Sequence, residues 1–269
     1  LGTWANWRFV AARLRIYTEL AHNSMTLPEF FENRFADKSG LLRMIPAVFI
    51  LIFFIIYTSS GFVSAGRLFE TVFGVPYEYA IFIGAGSVVF YTLIGGFLAV
   101  PRTDFIQGVM MFFAILVVPI TAGMEMGGFS TTIAAIDNVQ HSMLEPLTKP
   151  DGSLMGGVEL ISLLAWGIGY FGQPHILVRF MAVSSSKELK QATHIAMTWV
   201  VLSLAAAVAV GMVGRVFLTT PLVGTESETV FLVMTNSLFP PVVIGMILSA
   251  VLAAIMSTAS SQCWMGRSR

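Results

Sequence analysis

The chain has 269 residues, 56% of them hydrophobic and only 11% charged, with a formal net charge of zero. A soluble domain of this size carries about 25% charged residues, so the composition excludes an ordinary water-soluble globule and places the chain in a lipid bilayer. Zero net charge offers no basic surface to a nucleic acid, and the single cysteine, Cys263, excludes an internal disulfide.

In chain order, LGTWANWRFV at the start reads as the last turns of a membrane helix already under way, over residues 1–7. A transmembrane helix needs about 20 predominantly apolar residues. Six such stretches follow, at 44–66, 79–99, 105–126, 158–178, 196–218 and 240–260. Gly127-Gly128, Pro221 and Pro240-Pro241 mark their boundaries. Lys and Arg set the expected orientation. The connections 8–43, 100–104 and 179–195, with the C-terminal tag, hold twelve of the fifteen, which assigns them to the cytoplasm. The polar connection 127–157 then lies outside or in the periplasm, and SSSKELKQATH within 179–195 is expected to be helical. No internal repeat is visible, although an inverted repeat can exist without one.

The stretch WGIGYFGQP, residues 166–174, interrupts the fourth span with Gly167, Gly169, Gly172 and Pro174. Gly costs about 1 kcal/mol and Pro about 3 kcal/mol in a helix interior relative to Ala, and freed backbone groups in lipid cost more. Membrane proteins tolerate such breaks where they line a cavity, and transporters bind solutes there. Trp166 and Tyr170, four apart, are expected on one helical face, where they can wall a small apolar ring. The alternative is that small residues let helices pack closely, with Trp and Tyr at the membrane interface.

Three further features carry chemistry. In LSAVLAAIMSTASSQ, residues 248–262, Ala254, Ser257 and Thr258 fall at i, i+3 and i+4. A carbonyl and two hydroxyls on one stripe can give three hard oxygen ligands to a small cation, or the stripe is a close-packed helix face. Asp104 in the pair Thr103-Asp104 reads as a helix N-cap or as an acidic guide for cations. Tyr57, mid-span in LIFFIIYTSSGF, needs a hydroxyl partner, from a neighbouring helix or a solute. His22, His141, His175 and His194 have no metal-ligand spacing, and no motif in the chain requires an enzyme.

Together GGFLAVPRTDFIQGVMM (95–111), LAWGIGYFGQPHILVRFMA (164–182), ATHIAMTW (192–199) and ILSAVLAAIMSTASSQ (247–262) resemble the sodium:solute symporter family, in its sodium/proline branch. TLPEFFENRFADKS and YTSSGFVSAGRLFE fit as well, and the resemblance is collinear up to Gln262. It implies an all-α integral membrane fold, part of a leucine-transporter-type bundle of two inverted five-helix repeats. It implies sodium-coupled import of L-proline across the plasma (inner) membrane, with sodium as coupling ion and no other cofactor. It assigns Tyr57, Trp166, Tyr170, Pro174 and Ser257 to proline, Ala254, Ser257 and Thr258 to sodium, and Asp104 to ion coupling. Tyr170 is further implied as a gate on the cytoplasmic side.

The family pattern also contains a broken first core helix and two last core helices that have no counterpart here, and CWMGRSR departs from it. The chain is therefore expected to be a fragment, with 1–262 a partial symporter domain and 263–269 an aberrant or truncated tail. Alternatives within the resemblance are another small solute, such as pantothenate or another amino acid, and a symporter-like sensory domain of a membrane kinase.

Overall fold

The computed structural model describes residues 1–149, 151–183 and 188–265; of 71, 72, 88, 89, 91–103 and 259–265 it describes the backbone alone. Among the described residues the regular structure is helical, apart from one isolated bridge between Thr148 and Leu154. The helices are α1 (Gly2–Ala5), α2 (Ala11–Leu20), α3 (Leu27–Phe35), α4 (Leu41–Phe73), α5 (Tyr77–Glu125), α6 (Phe129–Val139), α7 (Gly157–Trp166), α8 (Pro174–Met181), α9 (Glu188–Phe217), α10 (Val230–Leu238) and α11 (Pro241–Met265). A π-helical turn, Asn6–Val10, joins α1 to α2, and a 3-10 segment, Gly167–Gly172, joins α7 towards α8.

Among the described residues, four stretches are long and apolar enough to cross a membrane: Leu41–Glu70, Asp104–Glu125, Glu188–Phe217 and Pro241–Thr258. Gly157–Gly172 is apolar but shorter. Large side chains such as Phe53, Ile56, Phe113 and Val201 stand exposed on these helices, as lipid-facing residues must.

One expected boundary is corrected. The sequence places a cytoplasmic connection at 100–104 between two spans, yet α5 runs without interruption through those residues. Only Pro101 among them disfavours a helix, and a single proline removes a hydrogen bond without forcing a chain reversal. The expected connection 8–43 is itself largely helical, comprising α2 and α3. Thr26 caps α3 by accepting from the Glu29 amide at 3.4 Å, Pro28 sits in the first turn, and Ala36 closes it in the left-handed conformation. Of the helical expectation for 179–195, residues 184–187 lie outside the described residues; α9 begins at Glu188.

The chain forms two compact units. The first comprises residues 1–104, 162–197 and 255–269. Its core gathers Ala11, Leu177, Phe180 and Leu189, with the Trp7 ring edge-on to Phe180 at 4.7 Å between centroids. Arg15, counted from sequence among the charges that set the orientation, is buried. Its guanidinium donates to the Met181 carbonyl and to Asn23 Oδ1, each at 3.0 Å, and to Glu19 at 3.2 Å. Met181 ends α8, so the cation satisfies a carbonyl that the helix leaves free.

The second unit comprises residues 105–161 and 198–254. Its core gathers Val118, Ala122, Val210, Val213, Met234, Ile247 and Ala250. Gly214 permits the close approach of α10: a Cβ there would lie 2.4 Å from Val230 Cγ2. In the polar connection, Lys149 pairs with Glu159 at 2.7 Å, and the exposed His141 imidazole is held between Asp137 and Glu145. The hydrogen bond and charge of Asp137, with the charge of Glu145, raise the His141 pKa above its ordinary value.

Candidate functional site

The interruption expected at 166–174 is present. The α-helix stops at Trp166, residues 167–172 wind as a 3-10 helix, Gln173 is extended, and Pro174 opens α8 at a position where its missing N–H costs nothing. The local cause is the glycine content: three glycines in six residues carry no side-chain packing that would hold the wider α turn.

The change of screw alters what the segment can present. Four residues advance about 40° around an α-helix but about 120° around a 3-10 helix. Trp166 and Tyr170 therefore do not share a face. Trp166 is 90% exposed, whereas Tyr170 is half-buried. Residues three apart eclipse in a 3-10 helix, and Gly167 and Tyr170 both meet the N-terminal helix. A Cβ added to Gly2 would fall 2.0 Å from the Gly167 carbonyl oxygen, and the Asn6 carboxamide donates to the Tyr170 carbonyl at 3.0 Å. The interruption's loosened backbone is thus covered by α1 and the π turn, and neither contact was foreseen from sequence. The only signal was Asn6 itself, a polar residue in an otherwise apolar opening.

Tyr57 and Pro174 approach one another through His175. Its ring lies 6.5 Å from that of Tyr57, nearly parallel at 29°, and 5.9 Å from that of Phe54. Tyr57 keeps 49% of its surface exposed. Asp104 meets the far end of α8, where Arg179 donates to its carboxylate at 3.4 Å. Asp104 stands inside α5 rather than at its start, so it is not the N-cap of that helix. Ala254, Ser257 and Thr258 keep their i, i+3, i+4 spacing on α11, the first two half-buried and Thr258 exposed. One unit thus holds Tyr57 and His175 ring to ring, Tyr170 against the N-terminal segment, Trp166 exposed, and Asp104 beside Arg179 of α8.

Long apolar helices and an interrupted helix lined by aromatic rings define a multi-pass α-helical membrane protein. The sodium:solute symporter family model matches residues 1–268, and the chain belongs to that family. It is 49% identical over 263 residues to the high-affinity proline transporter PutP of Bacillus subtilis (strain 168), covering 97% of this chain and 54% of that protein. Over 267 residues it is 46% identical to the sodium/proline symporter of Salmonella typhimurium and 45% identical to that of Escherichia coli (strain K12), covering 97% of this chain and 52% of each relative. The chain spans about half the length of the curated relatives it matches. Membership and the apolar helices make it a multi-pass protein of the plasma membrane.

Proposed function

We propose that this chain belongs to a sodium-coupled importer of L-proline, a transporter and not an enzyme, in which the interruption at Gly167–Gln173 lies at the solute site. The observation that carries the reading is the interruption itself, in a chain nearly half identical to proteins named as proline transporters. Trp166 and Tyr57 supply apolar faces for a pyrrolidine ring, Pro174 fixes the start of α8, and Tyr170 gates the site from the cytoplasmic side. Ser257 contributes to both solute and ion. Ala254, Ser257 and Thr258 offer oxygens to sodium, and Asp104 guides the ion. The parent bundle is the inverted-repeat type, with 8–43 and 179–195 on the cytoplasmic side. Sodium and L-proline are the partners, within a lipid bilayer.

The test is reconstitution into liposomes with labelled L-proline. An inward sodium gradient should drive uptake, or sodium should promote saturable binding, and excess unlabelled proline should compete while pantothenate should not. Competition by pantothenate and not by proline would overturn the solute assignment. Equal signals with sodium and with potassium would overturn the coupling ion.

A further inference from the structure

Asn6 is fully buried, and its acceptor oxygen is unsatisfied. Its carboxamide orientation is set by chemistry. The Tyr170 carbonyl can only accept, so the NH2 end of Asn6 must face it, at 3.0 Å. The other end, Oδ1, belongs to the same planar group at the same place and has no hydrogen-bond partner. A buried acceptor without a donor is unfavourable, and such exceptions call for a reason. Leu would fill a similar volume but take the donor from the Tyr170 carbonyl, so that carbonyl accounts for Nδ2 and leaves Oδ1 unexplained. A second irregularity coincides with it: the π-helical turn Asn6–Val10 begins at this residue. Single π turns within α-helices are rare and often mark functional sites. A π turn and a 3-10 segment, one wide and one tight, therefore meet at Asn6 and Tyr170.

We propose that Asn6 is a solute-positioning residue: its Nδ2 holds the Tyr170 carbonyl, and its Oδ1 accepts an N–H from the ammonium of the bound solute. This rests on the interruption being the solute site. The oxygen selects a small amino or imino acid over a carboxylic acid of the same shape without nitrogen. Sites built to hydrogen-bond a solute group reject analogues lacking that group far more strongly than apolar pockets reject a change of size. A sodium ion is the other positive partner that a carbonyl-type oxygen takes, and the test separates the two.

The experiment measures binding to the purified protein in liposomes at saturating sodium. The probes are L-proline and cyclopentanecarboxylate, a ring carboxylate with no N–H, read by competition; sodium is titrated separately without solute. The proteins are the unsubstituted chain, Asn6→Leu and Asn6→Ser, the last keeping a hydroxyl that can donate to the Tyr170 carbonyl and still accept. Asn6→Leu should lose about tenfold or more in proline affinity and stay within about twofold for cyclopentanecarboxylate, while Asn6→Ser should retain more proline affinity than Asn6→Leu. If Asn6→Leu does not fold, Asn6→Ala carries the same comparison. Equal loss of both probes, or loss of neither, overturns the proposal in favour of a packing role. A shift in sodium affinity with an unchanged ratio between the probes assigns the oxygen to the ion and also overturns it. Absence of saturable proline binding by the unsubstituted chain, at any sodium concentration, overturns the function proposed above and this inference with it.

Discussion

Gly2 and Gly167 meet backbone to backbone: a Cβ on Gly2 would stand 2.0 Å from the Gly167 carbonyl oxygen and 2.7 Å from its Cα. Small residues at membrane helix contacts permit this approach, and here the partner is rigid backbone that no rotamer change can move. Gly2→Ala is expected to destabilise the protein by about 1–3 kcal/mol, the usual range for overpacking. Gly61→Ala, on α4 where an added Cβ meets nothing within 4 Å, should be neutral or stabilising by up to about 1 kcal/mol. Thermal unfolding in one detergent compares them, and equal melting temperatures would contradict the close contact.

Trp166, with 90% of its surface exposed, is available to a ligand and contributes little to the core. Covering one face of an apolar ring is worth about 1–2 kcal/mol by area. Trp166→Ala should therefore weaken proline affinity roughly tenfold, with little change in melting temperature and a smaller effect on sodium binding without solute. Unaltered proline affinity would return the residue to a lipid-facing role.

Ser257 and Thr258 each carry one hydroxyl on the α11 stripe. A hard cation takes six or so oxygen ligands, and loss of one weakens the site. Ser257→Ala and Thr258→Ala should each raise the sodium concentration for half-maximal proline binding several-fold, with unchanged protein yield. Ser257→Ala alone should also lower proline affinity at saturating sodium. Unchanged sodium dependence in both variants would remove the stripe from the ion site.

The His141 cluster gives a pH-dependent expectation outside the membrane. Its pKa is raised by the Asp137 hydrogen bond and charge and by the Glu145 charge. A group whose folded pKa is raised contributes stability that is fully present below its unfolded pKa, about 6.5, and lost as pH rises through the folded value. The segment 137–145 should therefore loosen above neutral pH. In NMR titration the His141 ring should change charge at a higher pH than a free imidazole, and Asp137→Asn should bring it back towards the ordinary value. A His141 that titrates identically in both proteins would refute the pairing.

Local chemistry determined much of this protein before any contact formed. Of the six segments that hydropathy placed, 44–66, 105–126, 196–218 and 240–260 fall on helices long and apolar enough to cross a membrane, because such a helix must be about 20 residues long wherever it packs. Gly167, Gly169, Gly172 and Pro174 located the interruption for the same reason: a residue's helix penalty is its own. The family was legible in collinear motifs. Tertiary structure decided the rest. The 3-10 winding turned Tyr170 away from Trp166, which a period of 3.6 does not anticipate. The partners of Asn6 and Arg15 stand 164 and 166 residues away, beyond any local pattern. A polar side chain in an apolar stretch reveals that it needs a partner; only the packed helices determine that the partners are the carbonyls of Tyr170 and Met181.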